Sequence, residues 1–252
     1  MTSPNPAHDP TLGAAVQPAS GVLILNATRI RSFLACPRRF YLAYVLGLPG
    51  DELDSDASVL GHAVHRELHE RHRHFDRHED VSVVADDVPH DSFVTSRVRA
   101  HQVLCPGSDG ATYLGGEVDL RWLLRSKNLL VTGRADALWR LRDGTFELRD
   151  YKTGHCPESL DDDFAAQLYL VLAATHPHAP RRVRVVYEQL GPAPKAIMLE
   201  GSPSRVHDAI SALRALADRI RQERDFRATP SLLNCSQCAF ASLCPHSAQL
   251  EE

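Results

Sequence analysis

The segment from Asn128 to Tyr151 constrains the fold more than any other part of the sequence. Two runs in which apolar and polar residues alternate, 128–142 and 145–151, are separated by the dipeptide Asp143-Gly144. Such alternation predicts β-strands, and the dipeptide is typical of the turn that joins two antiparallel strands. The chain is therefore expected to contain an antiparallel strand pair at its centre.

Three charged side chains lie on this predicted strand pair. Asp136 belongs to the first strand, and Asp150 and Lys152 share one face of the second, whereas Tyr151 points to the other face. Carboxylates are the ligands that Mg²⁺ or Mn²⁺ prefers, and an ammonium can orient water or offset developing charge. The trio suits metal-dependent hydrolysis of a phosphodiester, although a lone D-x-K triplet also occurs on ordinary surface hairpins.

Predicted helices and further strands surround this pair. Periodicity predicts helices over 29–44, 58–75, about 94–103, 161–175 and 203–224, and strands over 117–124 and 182–189. This order predicts one α/β or α+β domain over residues 22–252. Residues 1–21, with four prolines by position 18, are expected to form a disordered leader.

Composition and charge restrict the partners of the chain. The 252 residues contain 28 Lys and Arg against 32 Asp and Glu, a formal net charge of -4, so any nucleic-acid site must be a local patch. No apolar run approaches the roughly 20 residues of a membrane-spanning helix, and the N-terminus lacks the features of a secretory signal. A cytoplasmic protein without membrane association is expected.

Four of the six cysteines have the spacing of a metal site. Cys235, Cys238 and Cys244 form a C-x2-C-x5-C motif, and Cys36 on an early predicted helix is the candidate fourth ligand. Four thiolates hold either an iron-sulfur cluster or zinc, and spacing alone does not separate the two. A clip between Cys36 and Cys235 would close a loop of about 200 residues and remove on the order of 5 kcal/mol of unfolded-chain entropy.

One predicted helix is unusually rich in histidine. The spacings of three, four and three place four imidazoles along it, at His62, His65, His69 and His72. A transition-metal site on one helix face is one interpretation, but no cysteine or carboxylate pattern completes it. A solvated amphipathic helix in which only His65 faces the active site is the preferred interpretation. Cys105 and Cys156 have no partner at ligand spacing and are expected to be ordinary side chains.

In combination, these motifs resemble the PD-(D/E)XK nuclease superfamily, and within it the RecB-type iron-sulfur branch, which includes the AddB nuclease domain and the CRISPR-associated four-cysteine nucleases. The resemblance rests on Gly61-His62-Ala63-Val64-His65, on Gly133 to Asp136, on Asp150-Tyr151-Lys152-Thr153-Gly154, on Gln167 and on the cysteine motifs. It implies a restriction-endonuclease-like α/β core, with a central mixed β-sheet flanked by helices and with termini clipped by a metal cluster.

The resemblance also implies roles for individual residues. His65, Asp136, Asp150 and the backbone carbonyl of Tyr151 would bind Mg²⁺ or Mn²⁺, with Glu117 as a further ligand. Lys152 would be catalytic, together with the two aspartates, and Gln167 would position the site. Cys36, Cys235, Cys238 and Cys244 would bind a [4Fe-4S] cluster, which the resemblance favours over zinc. The family often carries a tyrosine four residues after its glutamine, where this chain has Val171, and the nearest tyrosine is Tyr169.

The implied activity is that of a metal-dependent DNA nuclease, with an exonuclease acting on single strands or DNA ends as the favoured form. Repair, recombination or CRISPR adaptation would be its setting, with a helicase or adaptation protein as partner, because the chain has no P-loop. Arg31, Arg38 and Arg39, near Cys36, are the favoured DNA contacts over arginines at 181–184 and 205–227. The alternative is a non-catalytic iron-sulfur DNA-binding subunit of such a complex, although that role does not require all of His65, Asp136, Asp150 and Lys152.

Overall fold

The computed structural model describes residues 21–50, 56–75, 93–154, 156–177 and 182–247, without the side chains of 56–58 and 73–75. Nearly all of the leader predicted over 1–21, and Arg181 of the second arginine group, lie outside these residues. In the part of the chain that is described, no helix is both long and apolar enough to cross a membrane.

A six-stranded mixed sheet forms the centre of the molecule. Its strands are β1 (Leu23–Leu25), β2 (Thr112–Leu124), β3 (Leu129–Arg140), β4 (Phe146–Lys152), β5 (Val183–Gln189) and β6 (Lys195–Gly201). The order is β1-β3-β4-β5-β6, and β2 pairs with β3. The β1–β3 and β4–β5 pairs are parallel and the other three are antiparallel. The predicted α/β fold with a mixed sheet is confirmed, and the predicted antiparallel pair is β3–β4.

Helices lie against both faces of the sheet. They are α1 (Ala27–Ala35), α2 (Pro37–Phe40), a π-helical turn (Tyr41–Val45), α3 (Asp56–Phe75), α4 (Phe93–Leu104), α5 (Phe164–Ala174), α6 (Pro203–Gln222) and α7 (Leu232–Ser236). Short 3₁₀ turns span Pro106–Asp109, Arg125–Lys127 and Ala241–Leu243. The larger core contains α1, α5 and α6, and a smaller core contains α3 and α4.

Alternation along β4 divides its side chains between these two cores. Phe146 and Leu148 are buried in the larger core, beside α5, whereas Tyr151 is buried in the smaller core, beside α3. Asp150 has the same parity as Leu148 and therefore belongs to the face that α5 covers. The predicted separation of Asp150 from the Tyr151 side chain follows from this pleat.

Two local predictions differ from the structure. The helix expected over 29–44 is interrupted at Cys36, which has extended backbone angles (φ -156°, ψ 103°). A residue that precedes proline is disfavoured in helical conformation, and Pro37 starts the next helix. The sequence patterns do not predict strand β6, because only Leu199 within it is buried and its apolar alternation is correspondingly weak.

Candidate active site

The site begins where β3 and β4 stop pairing. The last residue pair of their antiparallel ladder on this side joins Ala137 to Arg149. Beyond this pair, the N–H of Tyr151, two residues after Arg149, donates instead to Oδ2 of Asp136, at 2.6 Å. The side chain of Asp136 thus replaces a backbone acceptor, and its carboxylate is held against the end of β4.

Helix α3 brings His65 to the other oxygen of the same carboxylate. His65 Nδ1 lies 3.2 Å from Asp136 Oδ1, and the helix is seated by the fully buried Val64 and Leu68. Gly61 faces Thr153, since a β-carbon built there would lie 3.3 Å from the Thr153 hydroxyl oxygen. The two motifs around His65 and Lys152 are therefore in contact.

The charges around His65 set its protonation. Burial alone would lower the pKa of His65, but the hydrogen bond to Asp136 and the charges of Asp136, Asp150 and Glu117 outweigh burial and raise that pKa above its ordinary value. Three acidic groups therefore surround one imidazole. Excess negative charge of this kind favours a cation at the site.

Glu117 supplies the third acidic group. The β2–β3 register joins Gly116 to Ala137 and Val118 to Ala135, which leaves Glu117 opposite Asp136. Ligand atoms of Glu117, His65 and Asp136 lie within 4.8 Å of one another. Glu117 also has φ of 52°, a left-handed backbone conformation that costs a non-glycine residue about 1–3 kcal/mol and is concentrated at functional sites.

Asp150 and Lys152 form an ion pair on the larger-core face. Asp150 is only 7% exposed, and burial raises the pKa of Asp150, opposed by the positive charge of Lys152 and reinforced by Asp136. The Lys152 ammonium also lies 4.8 Å from the ring centre of Tyr187. Asp136 and Asp150 therefore interact electrostatically, with the lysine beside them.

Helix α5 presents Tyr169 to this site, and the structure does not bring Gln167 to it. The Gln167 side-chain amide donates to the carbonyl oxygen of Asp161. Residues two positions apart on an α-helix point in nearly opposite directions, so Gln167 and Tyr169 cannot face the same site. The Tyr169 hydroxyl donates to the Arg134 carbonyl oxygen at 3.0 Å. Burial, and then the charges of Asp150 and Asp136, raise the pKa of Tyr169 and keep its hydroxyl protonated.

The donor set fits a divalent cation. The His65 imidazole and the carboxylates of Asp136 and Glu117 converge from α3, β3 and β2. Asp150 on β4 lies near enough to interact electrostatically with Asp136. Hard oxygen ligands of this type suit Mg²⁺ or Mn²⁺. The structure brings His65, Asp136, Asp150 and Lys152 together, as the motifs predict. Their individual roles, and that of the Tyr151 carbonyl, stay predictions.

The four predicted cluster ligands line one small cavity. Cys36, Cys235, Cys238 and Cys244 all border it, and none forms a disulfide. The side-chain amide of Asn234 donates to the Ala35 carbonyl oxygen at 3.2 Å, which fixes the C-terminal segment to the end of α1. Among these four described thiols, no three sulfur atoms lie within 4.8 Å of one another.

The three arginines predicted to bind DNA divide between two places. Arg38 and Arg39 line the cysteine cavity. Arg31 is exposed on α1, and its positive charge opposes the rise in the pKa of Asp150. Arg31 does not line that cavity, and its charge acts on the acidic site. A DNA-binding role for the three arginines stays a prediction.

The interpretation of the histidine-rich helix as solvated is wrong for His72. His62 is exposed and His65 faces the site, but His72 is buried in the smaller core. A ring nitrogen of His72, a ring nitrogen of His101 and the sulfur of Cys105 form a second group within 4.8 Å of one another. Cys105 does have partners at ligand distance: His101, four residues before it, and His72, which spacing along the sequence could not reveal because it lies on a different helix.

Comparison with known families identifies the class of this protein. The PD-(D/E)XK nuclease superfamily matches residues 24–245, and the chain belongs to that superfamily. The superfamily resemblance of the sequence motifs is therefore confirmed, and with it a nuclease that uses divalent metal ions. The RecB-type iron-sulfur branch stays a prediction.

Solved structures with a similar fold cover most of the chain. One is the crystal structure of SSO0001, with 16% identity, coverage of 90% of this chain and 87% of that chain, and a TM-score of 0.42. Another is described as "Putative exonuclease" from Eubacterium rectale, with 11% identity, coverage of 91% and 90%, and a TM-score of 0.49. No curated protein sequence matches the chain.

Proposed function

We propose that this protein is a Mg²⁺- or Mn²⁺-dependent deoxyribonuclease that hydrolyses phosphodiester bonds of single-stranded DNA or DNA ends. The observation that carries the proposal is the convergence of His65, Asp136 and Asp150 beside Lys152. Three of these groups are ligands for a hard cation and the fourth is a fixed positive charge. A protein that only bound DNA would gain nothing from burying Asp150 beside a second carboxylate, that of Asp136.

His65, Asp136, Asp150 and the Tyr151 carbonyl would hold the metal ion. When bound, the ion supplies a Lewis acid that polarises a phosphoryl oxygen and lowers the pKa of a coordinated water. Lys152 orients the attacking water and offsets the negative charge that develops on the phosphate. In hydrolysis the water oxygen forms a bond to phosphorus, the bond to the leaving oxygen breaks, and a proton passes to that leaving oxygen.

An exposed arginine of this chain is suited to binding the DNA backbone beside the reacting phosphate. Arg31 is exposed and its charge reaches Asp150, so its guanidinium can pair with a neighbouring phosphate. In this proposal Arg31 contacts the substrate, whereas Arg38 and Arg39 lie beside the metal cluster proposed at the cysteine cavity.

The proposal extends to a [4Fe-4S] cluster at Cys36, Cys235, Cys238 and Cys244. Four thiols around one cavity match the ligand set of such clusters. A single tetrahedral zinc ion, with Zn–S bonds of about 2.3 Å, would need sulfur atoms about 3.8 Å apart. Four thiolates would also hold such a zinc ion, and the resemblance of the cysteine motifs is what favours the cluster.

A cleavage assay on end-labelled DNA tests the enzymatic role. Purified protein is incubated with single- and double-stranded DNA and Mn²⁺ or Mg²⁺, and Lys152→Ala is compared with wild type. We expect Lys152→Ala to lower the cleavage rate by about 10²-fold or more, because it removes a charge that stabilises the transition state. The matched control is Lys127→Ala, which removes a surface lysine paired with Asp218 and should cleave like wild type.

The same assay distinguishes the alternative of a non-catalytic DNA-binding subunit. Binding measured by gel shift, without products that depend on Lys152, supports the binding role. Equal cleavage by Lys152→Ala and wild type removes the catalytic role of this lysine. Products that require Lys152 and a divalent ion support the nuclease.

A further inference from the structure

Two histidines and a cysteine meet in the smaller core, away from the candidate active site. His72 on α3, His101 on α4 and Cys105 after α4 are 1%, 4% and 7% exposed. Their ligand atoms lie within 4.8 Å of one another, and the two Nε2 atoms of the histidines are 2.9 Å apart. Imidazole nitrogen and thiolate sulfur are the ligands that zinc takes in proteins.

The second nitrogen of His101 is held by a buried carboxylate. His101 Nδ1 lies 2.6 Å from Oε1 of Glu188, and Glu188 is fully buried and paired with Arg149. A carboxylate that accepts the Nδ1 proton favours the tautomer in which Nε2 carries a lone pair, and metal-bound histidines usually have such a partner. His101 is thereby oriented with its Nε2 toward His72.

Arg149 also determines where Cys105 lies. Its guanidinium donates to the carbonyl oxygen of Leu104 at 2.8 Å, and Leu104 is the last residue of α4, directly before Cys105. The same guanidinium binds Glu147 at 2.6 Å and pairs with Glu188. One buried ion-pair network on the sheet therefore positions both His101 and the cysteine.

We propose that His72, His101 and Cys105 bind one Zn²⁺ ion. Tetrahedral zinc with Zn–N bonds of about 2.0–2.1 Å and Zn–S bonds of about 2.3 Å has ligand atoms about 3.3–3.8 Å apart. The separation of the two Nε2 atoms, 2.9 Å, differs from this spacing by only a few tenths of an ångström. The sulfur of Cys105 lies within 4.8 Å of one ring nitrogen of each histidine. The three side chains leave one tetrahedral position for a water molecule.

The zinc ion would stabilise the position of helix α3, which carries His65 of the candidate nuclease site, without contacting that site. It joins the C-terminal part of α3 to the end of α4, across the residues 76–92 that separate these helices in the chain. His65 lies two turns before His72 on the same helix. Zinc at this position therefore fixes the helix that carries an active-site histidine, and through Glu188 it ties that helix to β5.

Metal analysis of the full-length chain tests the proposal. Wild type, Cys105→Ser and Cys156→Ser are purified without chelators from zinc-supplemented cultures, and metals per chain are measured by plasma mass spectrometry. Cys156 is the matched control because it is also buried but lies outside the group. We expect Cys105→Ser to contain one zinc ion fewer than wild type and Cys156→Ser the same number. All three proteins keep the thiols of the four-cysteine cavity. Metal bound at that cavity therefore contributes equally to the three zinc contents and does not affect the difference between them.

Cobalt spectroscopy and a second ligand variant complete the test. Co²⁺ added to chelator-treated protein should give a thiolate-to-cobalt absorption in Cys156→Ser that is diminished in Cys105→Ser. His72→Gln leaves the thiol in place and should also lose one zinc ion, which covers the case in which Cys105→Ser fails to fold. Equal zinc content and identical cobalt spectra in all these proteins would overturn the proposal, and a proton shared between the two Nε2 atoms would then explain the pair.

Discussion

The backbone N–H of Tyr151 donates to Oδ2 of Asp136 at 2.6 Å, at the point where β3 and β4 cease to pair. This bond leaves Oδ1 of Asp136 directed toward His65, at 3.2 Å from its Nδ1. A single carboxylate thus holds together two strands and a helix that carry the candidate ligands. The geometry of the site depends on Asp136 more than on any other side chain.

Asp136→Asn separates the charge of this residue from its hydrogen bonding. The amide oxygen can still accept the Tyr151 N–H, so the strand ends should stay together, but the negative charge beside His65 is lost. Loss of an outer partner of a metal ligand lowers metal affinity by about 10–100-fold, and loss of a direct ligand should cost at least as much. Titration of Mn²⁺ by calorimetry measures the change.

The control for this variant is Asp119→Asn. Asp119 also lies on the sheet near Arg134, but its side chain is exposed and bound to that arginine at 3.1 Å. Its variant should bind Mn²⁺ like wild type. Equal Mn²⁺ affinity of Asp136→Asn and Asp119→Asn would contradict a metal-binding role for Asp136.

Gly133→Ala should disturb the contact between β3 and α5. A β-carbon at Gly133 would lie 2.8 Å from Leu172 Cδ1 and 2.9 Å from Tyr169 Cε1. Overpacking of this kind typically costs about 1–3 kcal/mol, and here it also displaces the tyrosine that faces Asp150. We expect a lower midpoint in urea unfolding together with slower DNA cleavage.

A glycine in open surroundings separates this steric effect from a general effect of alanine. Nothing lies within 4 Å of a β-carbon built at Gly191, so Gly191→Ala should unfold at the wild-type midpoint. If Gly133→Ala unfolded at the same urea midpoint as Gly191→Ala, α5 would not be packed as tightly on β3 as the structure has it.

Most of the strands and helices could be predicted from the sequence because the side chains of each element follow a single period. Alternation around Asp143-Gly144 predicts β3 and β4, although both faces of β4 are buried, because apolar Phe146 and Leu148 alternate with the charged Glu147 and Arg149. Edge strand β6 buries only Leu199, so its pattern carries little signal. The break at Cys36 follows from Pro37, a local rule that the helical period of the neighbouring residues conceals.

Some features of the candidate site follow from local sequence patterns, and others are determined only by the tertiary structure. The alternation that gives Asp150 and Lys152 one face is local, and the motifs around them predict their meeting with His65. The direction of Gln167 depends on how α5 is rotated about its axis, which its buried apolar residues set. The group of His72 with the residues of α4 depends on two helices packing together, and no spacing along the chain encodes that contact.

Cys36→Ser should remove the iron-sulfur cluster proposed at the four-cysteine cavity. Protein purified without oxygen should be brown and contain about four iron atoms per chain if the cluster is present, and the variant should lose that colour and iron. Cys156→Ser, which keeps all four ligands, should retain both. A colourless wild-type protein that contains zinc at this cavity would contradict the cluster and support the zinc alternative.

Arg149→Met should destabilise the fold far more than the loss of an exposed arginine. Arg149 is buried between Glu147 and Glu188, which are fully buried themselves. Removal of one partner leaves uncompensated buried charge and typically costs about 3–5 kcal/mol. Urea unfolding followed by the fluorescence of the buried Trp139 measures the loss in the free energy of unfolding. Arg182→Met removes an exposed partner of Asp143. This variant should change the free energy of unfolding by less than about 1 kcal/mol.

The double variant Arg149→Met/Glu188→Gln identifies the cause of that loss. If uncompensated charge dominates, neutralising Glu188 recovers part of the stability, because one buried anion without a cation has been removed. If packing of the arginine side chain dominates, the double variant is no more stable than Arg149→Met alone. Recovery is expected, since Glu147 keeps its ion pair with Arg184 when Arg149 is removed, whereas Glu188 loses its arginine and keeps only His101.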